Sequence, residues 1–210
     1  MNNSNMSLAA LEEVSDCLGE DIHSLLLKFI YNTYDKFISA LYQDLENIVC
    51  RLEQNKKIRF TDKEDRMTEE ILSYLNGRGF EANHDTTYGG GHCDLVVRLN
   101  KFTWLGEAKK HADYDYLMKG FNQLTTRYAT GTDFCSQGGL IIYCRTKDAS
   151  SVMKKWKKTL QGSKQISCLT TDLCTYRPNL SFYSTHKHES TGINYTVKHI
   201  FVSLHYDPKD

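Results

Sequence analysis

Apolar residues recur at three- and four-residue steps through the first quarter of the chain: Leu26, Ile30, Tyr34, Phe37, Leu41, Leu45 and Ile48. That is the period of an α-helix, in which side chains three and four apart share a face. Residues 8–54 therefore read as helical, with Gly19 a break between a short helix and a long one. No proline interrupts the segment. A stripe of this length has to be buried on the core, on a second helix or on another copy of the chain. Packing on the rest of the protein, combined with self-association or a regulatory protein subunit, is the expectation for residues 8–54.

The period changes after a link at Asn55–Phe60. A second helix is predicted from Asp65, with Met67, Ile71, Tyr74 and Leu75 at helical spacing, a cap at Thr61, Asp62 or Asp65, and Gly77 as its end. Then come strands over Phe80–Asp85, Cys93–Leu99 and Phe102–Ala108, the first two joined by a turn at Gly89–Gly91. A helix over Tyr116–Tyr128, a strand over Gly139–Arg145, a helix over Ser150–Gln161 and a strand over Gln165–Thr170 follow, and Thr191–His205 reads as a hairpin or one long strand. Interleaved strands and helices predict the α/β class: a mixed central sheet flanked by helices, with an N-terminal helical extension. The division expected is 1–58 for the extension and 59–210 for the α/β domain.

Two strands carry charges that core packing does not explain. Side chains alternate across a strand, so Cys93, Leu95 and Val97 point one way while Asp94 points the other with Val96 and Arg98. On the next strand Glu107 and Lys109 share a face, with the small residues Gly106 and Ala108 opposite. If the strands are neighbours, Asp94, Glu107 and Lys109 converge. Two hard oxygen ligands suit Mg²⁺, which prefers one or two carboxylates plus water and phosphate oxygens, with Mn²⁺ as a substitute. Lys109 would orient or deprotonate the attacking water, or neutralise the transition state. The set points to phosphodiester cleavage. Glu-x-Lys is a short pattern, but it occurs once in the chain, on an apolar run that follows an acid-bearing strand.

These residues resemble the PD-(D/E)XK, or restriction endonuclease-like, nuclease superfamily over roughly residues 62–145. Asp94 matches the first acid, Glu107 the second and Lys109 the lysine; Cys93 stands where the family name has proline. The resemblance implies a restriction endonuclease-like core. It also implies a further glutamate from the preceding helix, for which Glu69 or Glu70 is the candidate, the alternative being a solvated acid favoured by the helix dipole. Gln123 and Tyr128 are similar to a Gln/Tyr element that some members place after the lysine, although the Gln-x4-Tyr spacing departs from that pattern. His92, two residues before Asp94, is an assisting candidate; a hydrogen-bonded structural role is the alternative.

Charge sharpens the picture only locally. The chain has 26 basic and 26 acidic residues among 210, unlike proteins that hold DNA by charge alone. Lys154, Lys155, Lys157 and Lys158 form the densest cluster: a wet helix face beneath which Val152, Trp156 and Leu160 are buried, or a set of phosphate contacts. Seven cysteines without Cys-x-x-Cys spacing predict reduced thiols. Cys168, Cys174, His186 and His188 match none of the compact zinc signatures. The lack of an 18-residue apolar run and of a signal-like N-terminus leads to the expectation of a cytoplasmic protein without membrane contact.

The expectation is thus a Mg²⁺-dependent endonuclease with nucleic acid as its partner, DNA favoured over RNA. It resembles, by analogy alone, the effector of a bacterial restriction or anti-phage defence system. The alternative is a nuclease-fold module that binds nucleic acid or a protein partner without cleaving.

Overall fold

The computed structural model describes residues 7, 9–10, 13, 17, 22–85, 92–164, 166 and 169–209. A seven-stranded mixed sheet runs through it. Its strands are β1 (Glu81–Asp85), β2 (Cys93–Leu99), β3 (Phe102–Lys110), β4 (Gln137–Cys144), β5 (Thr170–Leu173), β6 (Ser181–Lys187) and β7 (Asn194–Ser203). They lie in the order β1-β2-β3-β4-β7-β6-β5. The outer pairs are antiparallel, whereas β3–β4 and β4–β7 are parallel. The helices α1 (Ile22–Ile30), α2 (Tyr34–Gln54), the single turn α3 (Lys56–Arg59) and α4 (Glu64–Gly77) precede the sheet. Helix α5 (Tyr114–Asn122) joins β3 to β4, and α6 (Ala149–Gln161) follows β4. This is the α/β class with a mixed sheet between helices.

Two cores lie on the two faces. On one, Phe37, Leu41, Leu45 and Ile48 of α2 and Met67, Ile71 and Leu75 of α4 pack with Leu95, Val97, Trp104, Ile141 and Ile200. On the other, Leu117 and Phe121 of α5 and Val152, Trp156 and Leu160 of α6 pack with Val96, Leu105, Leu140, Ile142 and Phe201. The stripe of α2 is therefore covered by the chain itself and shares one core with the sheet, so position 58 does not separate two cores. Buried ion pairs add to this: Lys198 of β7, fully buried, holds Glu46 at 2.6 Å, and Arg177 holds Glu53 at 2.6 Å.

Several expectations are corrected locally. The helical segment breaks at Tyr31–Thr33, where the Thr33 hydroxyl accepts from Lys36 N–H as an N-cap. The break resets the helical phase, so Leu27 of α1 and Tyr31 just after it meet the core while Ile30 is exposed. The expected link at 55–60 contains α3. Helix α4 begins at Glu64, with Lys63 at its N-cap and no side-chain cap; Asp62 instead pairs with Arg59 at 2.8 Å. The predicted strand 165–170 is replaced by β5 from Thr170, while Gln165, Ser167 and Cys168 lie outside the described residues, as do Gly19 and Gly89–Gly91. The C-terminal stretch is one strand, β7, paired with β6. Strand β6 escapes sequence reading because Phe182 is the one large apolar residue among its buried positions, beside Ser181, Ser184 and His186.

No described helix is long and apolar enough to cross a membrane. The six described cysteines are free.

Candidate active site

Strands β2 and β3 pair antiparallel with Leu95 opposite Gly106, which brings the side chains of the preceding Asp94 and the following Glu107 together at the same end of the ladder. Asp94 Oδ2 accepts the Ala108 N–H at 2.9 Å, so the carboxylate takes the place of a ladder carbonyl and is pinned. Lys109 Nζ stands 2.5 Å from Glu107 Oε1 and 3.8 Å from Asp94 Oδ2. The three residues read from the sequence therefore form one constellation.

A shift of register helps to aim Asp94. Between Asn83 and Asp85 of β1 the pairing moves so that three steps on β2, Cys93 to Val96, match two on β1. An extra residue in one strand bends it and redirects side chains. Its consequence is visible at Cys93, expected on the face of Leu95 and Val97: it packs instead in the opposite core, with Val96.

Helix α5 covers Lys109. Gly120 lies so close that a Cβ there would come within 2.8 Å of Lys109 Cγ, and the Tyr116 ring centroid is 5.6 Å from Nζ. On the far face Gly106 makes room for the Trp104 indole, which a Cβ would meet at 2.7 Å. The small residue at Gly106 thus accommodates an aromatic ring.

The helix acid that contacts the strand carrying Glu107 and Lys109 is Glu64, to which the sequence alone assigned no role. Its Oε2 accepts the backbone N–H of Lys110, and Lys109 and Asp94 both bear on its protonation. Glu64 is in phase with the buried stripe of α4, four residues before Thr68 and seven before Ile71, and so faces the sheet. Glu69 and Glu70 fall off that stripe. Glu69 pairs with His84 at 3.1 Å and Glu70 pairs with Arg59, and the structure brings neither to Asp94 and Glu107. The phase of the apolar stripe was the signal; starting the helix at Asp65 hid it.

After α5 the chain continues as a π-helical turn over Gln123–Tyr128, closed by the Ala129 N–H on the Leu124 carbonyl. Pairing at i→i+5 brings residues five apart onto one side, and the Gln-x4-Tyr spacing falls on that turn. Tyr128 donates to the His92 carbonyl at 2.5 Å and so fastens the start of β2. Gln123 is half-buried beside an open depression with Lys119 and Arg127. The His92 side chain is exposed. The lysine cluster on α6 divides: Lys155 lies over the Tyr114 ring at 5.0 Å and Lys157 over Phe182 at 5.7 Å, while Lys154 and Lys158 are exposed.

Electrostatics follow from three carboxylates around one ammonium in a buried place. Burial, reinforced by Asp94 and opposed by Lys109, pushes the Glu107 carboxyl up to about 7. Burial also raises Glu64, against the Lys110 N–H and Lys109. Burial works against the charge on Lys109, but Glu107, Asp94 and Glu64 more than offset it and hold the ammonium above its ordinary range.

Among the described residues no group of three His, Cys, Asp or Glu side chains is arranged to hold a metal ion. The donor set nevertheless suits a hard cation that takes two carboxylates and completes its shell with water. Glu107 Oε2, buried without a hydrogen-bond partner, is an oxygen with its coordination free. The zinc arrangement weighed above is not assembled by its described members. Both ring nitrogens of His188 have partners, with Ala129 O at 3.0 Å and Ser190 and Thr191 hydroxyls at 3.3 Å, and Cys174 lies 4.0 Å from the Tyr183 hydroxyl.

No protein-family model matches the chain, and no curated protein and no solved structure does.

Proposed function

We propose that the protein is a metal-dependent nuclease of the PD-(D/E)XK kind that hydrolyses phosphodiester bonds, with DNA favoured as substrate. The observation that carries this reading is the meeting of Asp94 and Glu107 on adjacent antiparallel strands with the Lys109 ammonium against both. The order helix, β1, β2, β3, with a glutamate at the head of the helix, the first acid on β2 and Glu-x-Lys on β3, supports a restriction endonuclease-like core.

Asp94 and Glu107 would hold Mg²⁺ or Mn²⁺, with Glu64 directed at the water around it. The ion would acidify water and stabilise charge on the scissile phosphate. Asp94, anchored by Ala108 N–H, keeps its position as charge shifts. Lys109, held as an ammonium, orients the attacking water and neutralises charge developing on the phosphate oxygens rather than removing a proton. Water adds to phosphorus, a P–O ester bond breaks, and the leaving oxygen takes up a proton.

Supercoiled plasmid, single-stranded DNA and RNA, incubated with Mg²⁺, Mn²⁺ or EDTA beside Asp94→Ala and Lys109→Ala, test the reading. Metal-dependent cleavage lost in both folded variants is expected. Wild-type protein that binds these substrates but leaves them intact with either metal would favour the second reading, a nuclease-fold module that binds without cutting.

A further inference from the structure

A cleft of ≈ 430 Å³ opens beside the carboxylates, lined by Thr61, Lys63, Glu64, Lys110, Tyr116 and Arg145. Its size falls within the roughly 300–1,000 Å³ typical of small-molecule sites. One end is continuous with the candidate active site, because Glu64 and Tyr116 belong to both. Asp62, also in the wall, pairs at 2.8 Å with Arg59, whose guanidinium it shares with Glu70. Arg145 shapes the wall: its guanidinium donates to the carbonyls of Arg59 and Asp62 and lies 5.8 Å from the Phe60 ring, pinning the approach to α4. Lys63 and Lys110 stand exposed on the rim.

Tyr116 is the unusual member. A large aromatic side chain, 36% exposed, stands at the mouth of a charged site where core packing does not require it. Its ring centroid lies 5.6 Å from Lys109 Nζ, so the ring borders the candidate active site. The chain has no net charge with which to grip nucleic acid, so affinity has to come from local contacts. An aromatic platform with flanking ammonium groups is how sequence-tolerant single-strand binders achieve it.

We infer that this cleft is a nucleotide subsite in which an unpaired base stacks on the Tyr116 ring and its flanking phosphate meets Lys63 and Lys110, so that the preferred substrate is single-stranded or locally unpaired nucleic acid. A base inside a continuous duplex has no free face to offer and must leave the stack first. The inference rests on the nuclease reading for its class of ligand, but stacking needs neither metal nor cleavage.

Fluorescence anisotropy in EDTA, with the full chain and a short labelled single-stranded DNA beside the same sequence as a blunt duplex, tests it. The single strand should bind more tightly than the duplex. Tyr116→Ala should weaken single-strand binding by roughly 5- to 150-fold, the loss of one stacked base, and Tyr116→Phe, which keeps the ring, should leave it nearly unchanged. Single-strand affinity unaltered by Tyr116→Ala, or reduced equally by both variants, overturns the subsite, and so does equal loss on the duplex. Cleavage that survives such a result leaves the nuclease reading intact; a Tyr116 effect without cleavage by the wild type leaves the subsite and removes the nuclease.

Discussion

Glu64, the first residue of α4, accepts a hydrogen bond from the backbone N–H of Lys110, the last residue of β3. The contact joins the helix to the end of the strand that carries Glu107 and Lys109. Side chains that support a metal-binding carboxylate set typically cost about 10–100-fold in metal affinity or activity when replaced. Glu64→Gln should lower cleavage by about that factor, whereas Glu69→Gln and Glu70→Gln should leave the rate within about threefold. Rate measurements at saturating Mg²⁺ and a Mg²⁺ titration decide between the three; a normal rate in Glu64→Gln would return the role to another residue.

Glu107 should make metal binding pH-dependent. With its carboxyl pushed up to about 7 by burial and Asp94, it is protonated below that pH, and a metal ion competes with the proton. Mn²⁺ affinity should rise about tenfold per pH unit below pH 7 and level off above it. Calorimetry at pH 7 in buffers of different ionisation enthalpy should report release of about half a proton per ion. Affinity independent of pH between 6 and 8 would remove Glu107 from the ligand set.

Acid should destabilise the fold through its buried histidines. His199 lies between the rings of Phe182 and Phe121, accepts from the Trp156 indole at Nδ1 and thus keeps its proton on Nε2, 2.8 Å from the Ser184 hydroxyl. Burial, with His186 nearby, pushes it down to about 3; burial also lowers His186 to about 4. The unfolded chain takes up these protons near pH 6.5 and the folded chain does not, so stability is full above that pH and falls below it. The slope is about 1.4 kcal/mol per pH unit for each histidine. A melting temperature steady from pH 7 to 8 that falls steeply below pH 6 is expected in a calorimetric series, and a constant value down to pH 4.5 would refute the assignment.

Removing residues 1–54 should unfold the protein rather than release an active domain. Phe37, Leu41, Leu45, Ile48, Val49 and Leu52 are each at most 2% exposed. At about 1.5–3 kcal/mol per buried side chain, the loss of about 9–18 kcal/mol is as large as the whole 5–15 kcal/mol by which domains are usually stable. The truncation would also strip Glu46 from the fully buried Lys198, and a broken buried pair costs about 3–5 kcal/mol. Circular dichroism without a cooperative transition is the expected result; a folded, cleaving fragment would show that α2 is dispensable.

Much of this architecture can be read from local pattern. Helix α4, strands β2 and β3, the helix after β3 and the lysine-bearing helix α6 follow from period, because each carries a continuous run of buried apolar residues. Asp94, Glu107 and Lys109 stand out for the complementary reason: they are charges on faces that packing would fill with Val or Leu. Strand β6 is hidden because its buried serines and histidine break the apolar pattern; Ser184 is satisfied by His199 of β7, a partner that no local pattern reveals. The phase reset at Thr33 turns on a single cap.

The strand alternation of the chain determined which side chains could meet: one acid on β2, with a glutamate and a lysine on one face of β3. Only the tertiary structure decided that they do meet, because antiparallel register and the extra residue in β2 are properties of a strand pair. It also decided that Glu64, and neither Glu69 nor Glu70, bonds to the end of β3, since the phase of α4 matters only once the sheet lies beneath it. The proton affinity of Glu107 belongs to the fold in the same sense: an isolated Glu-x-Lys is solvated, and burial against Asp94 is what raises its carboxyl toward neutrality.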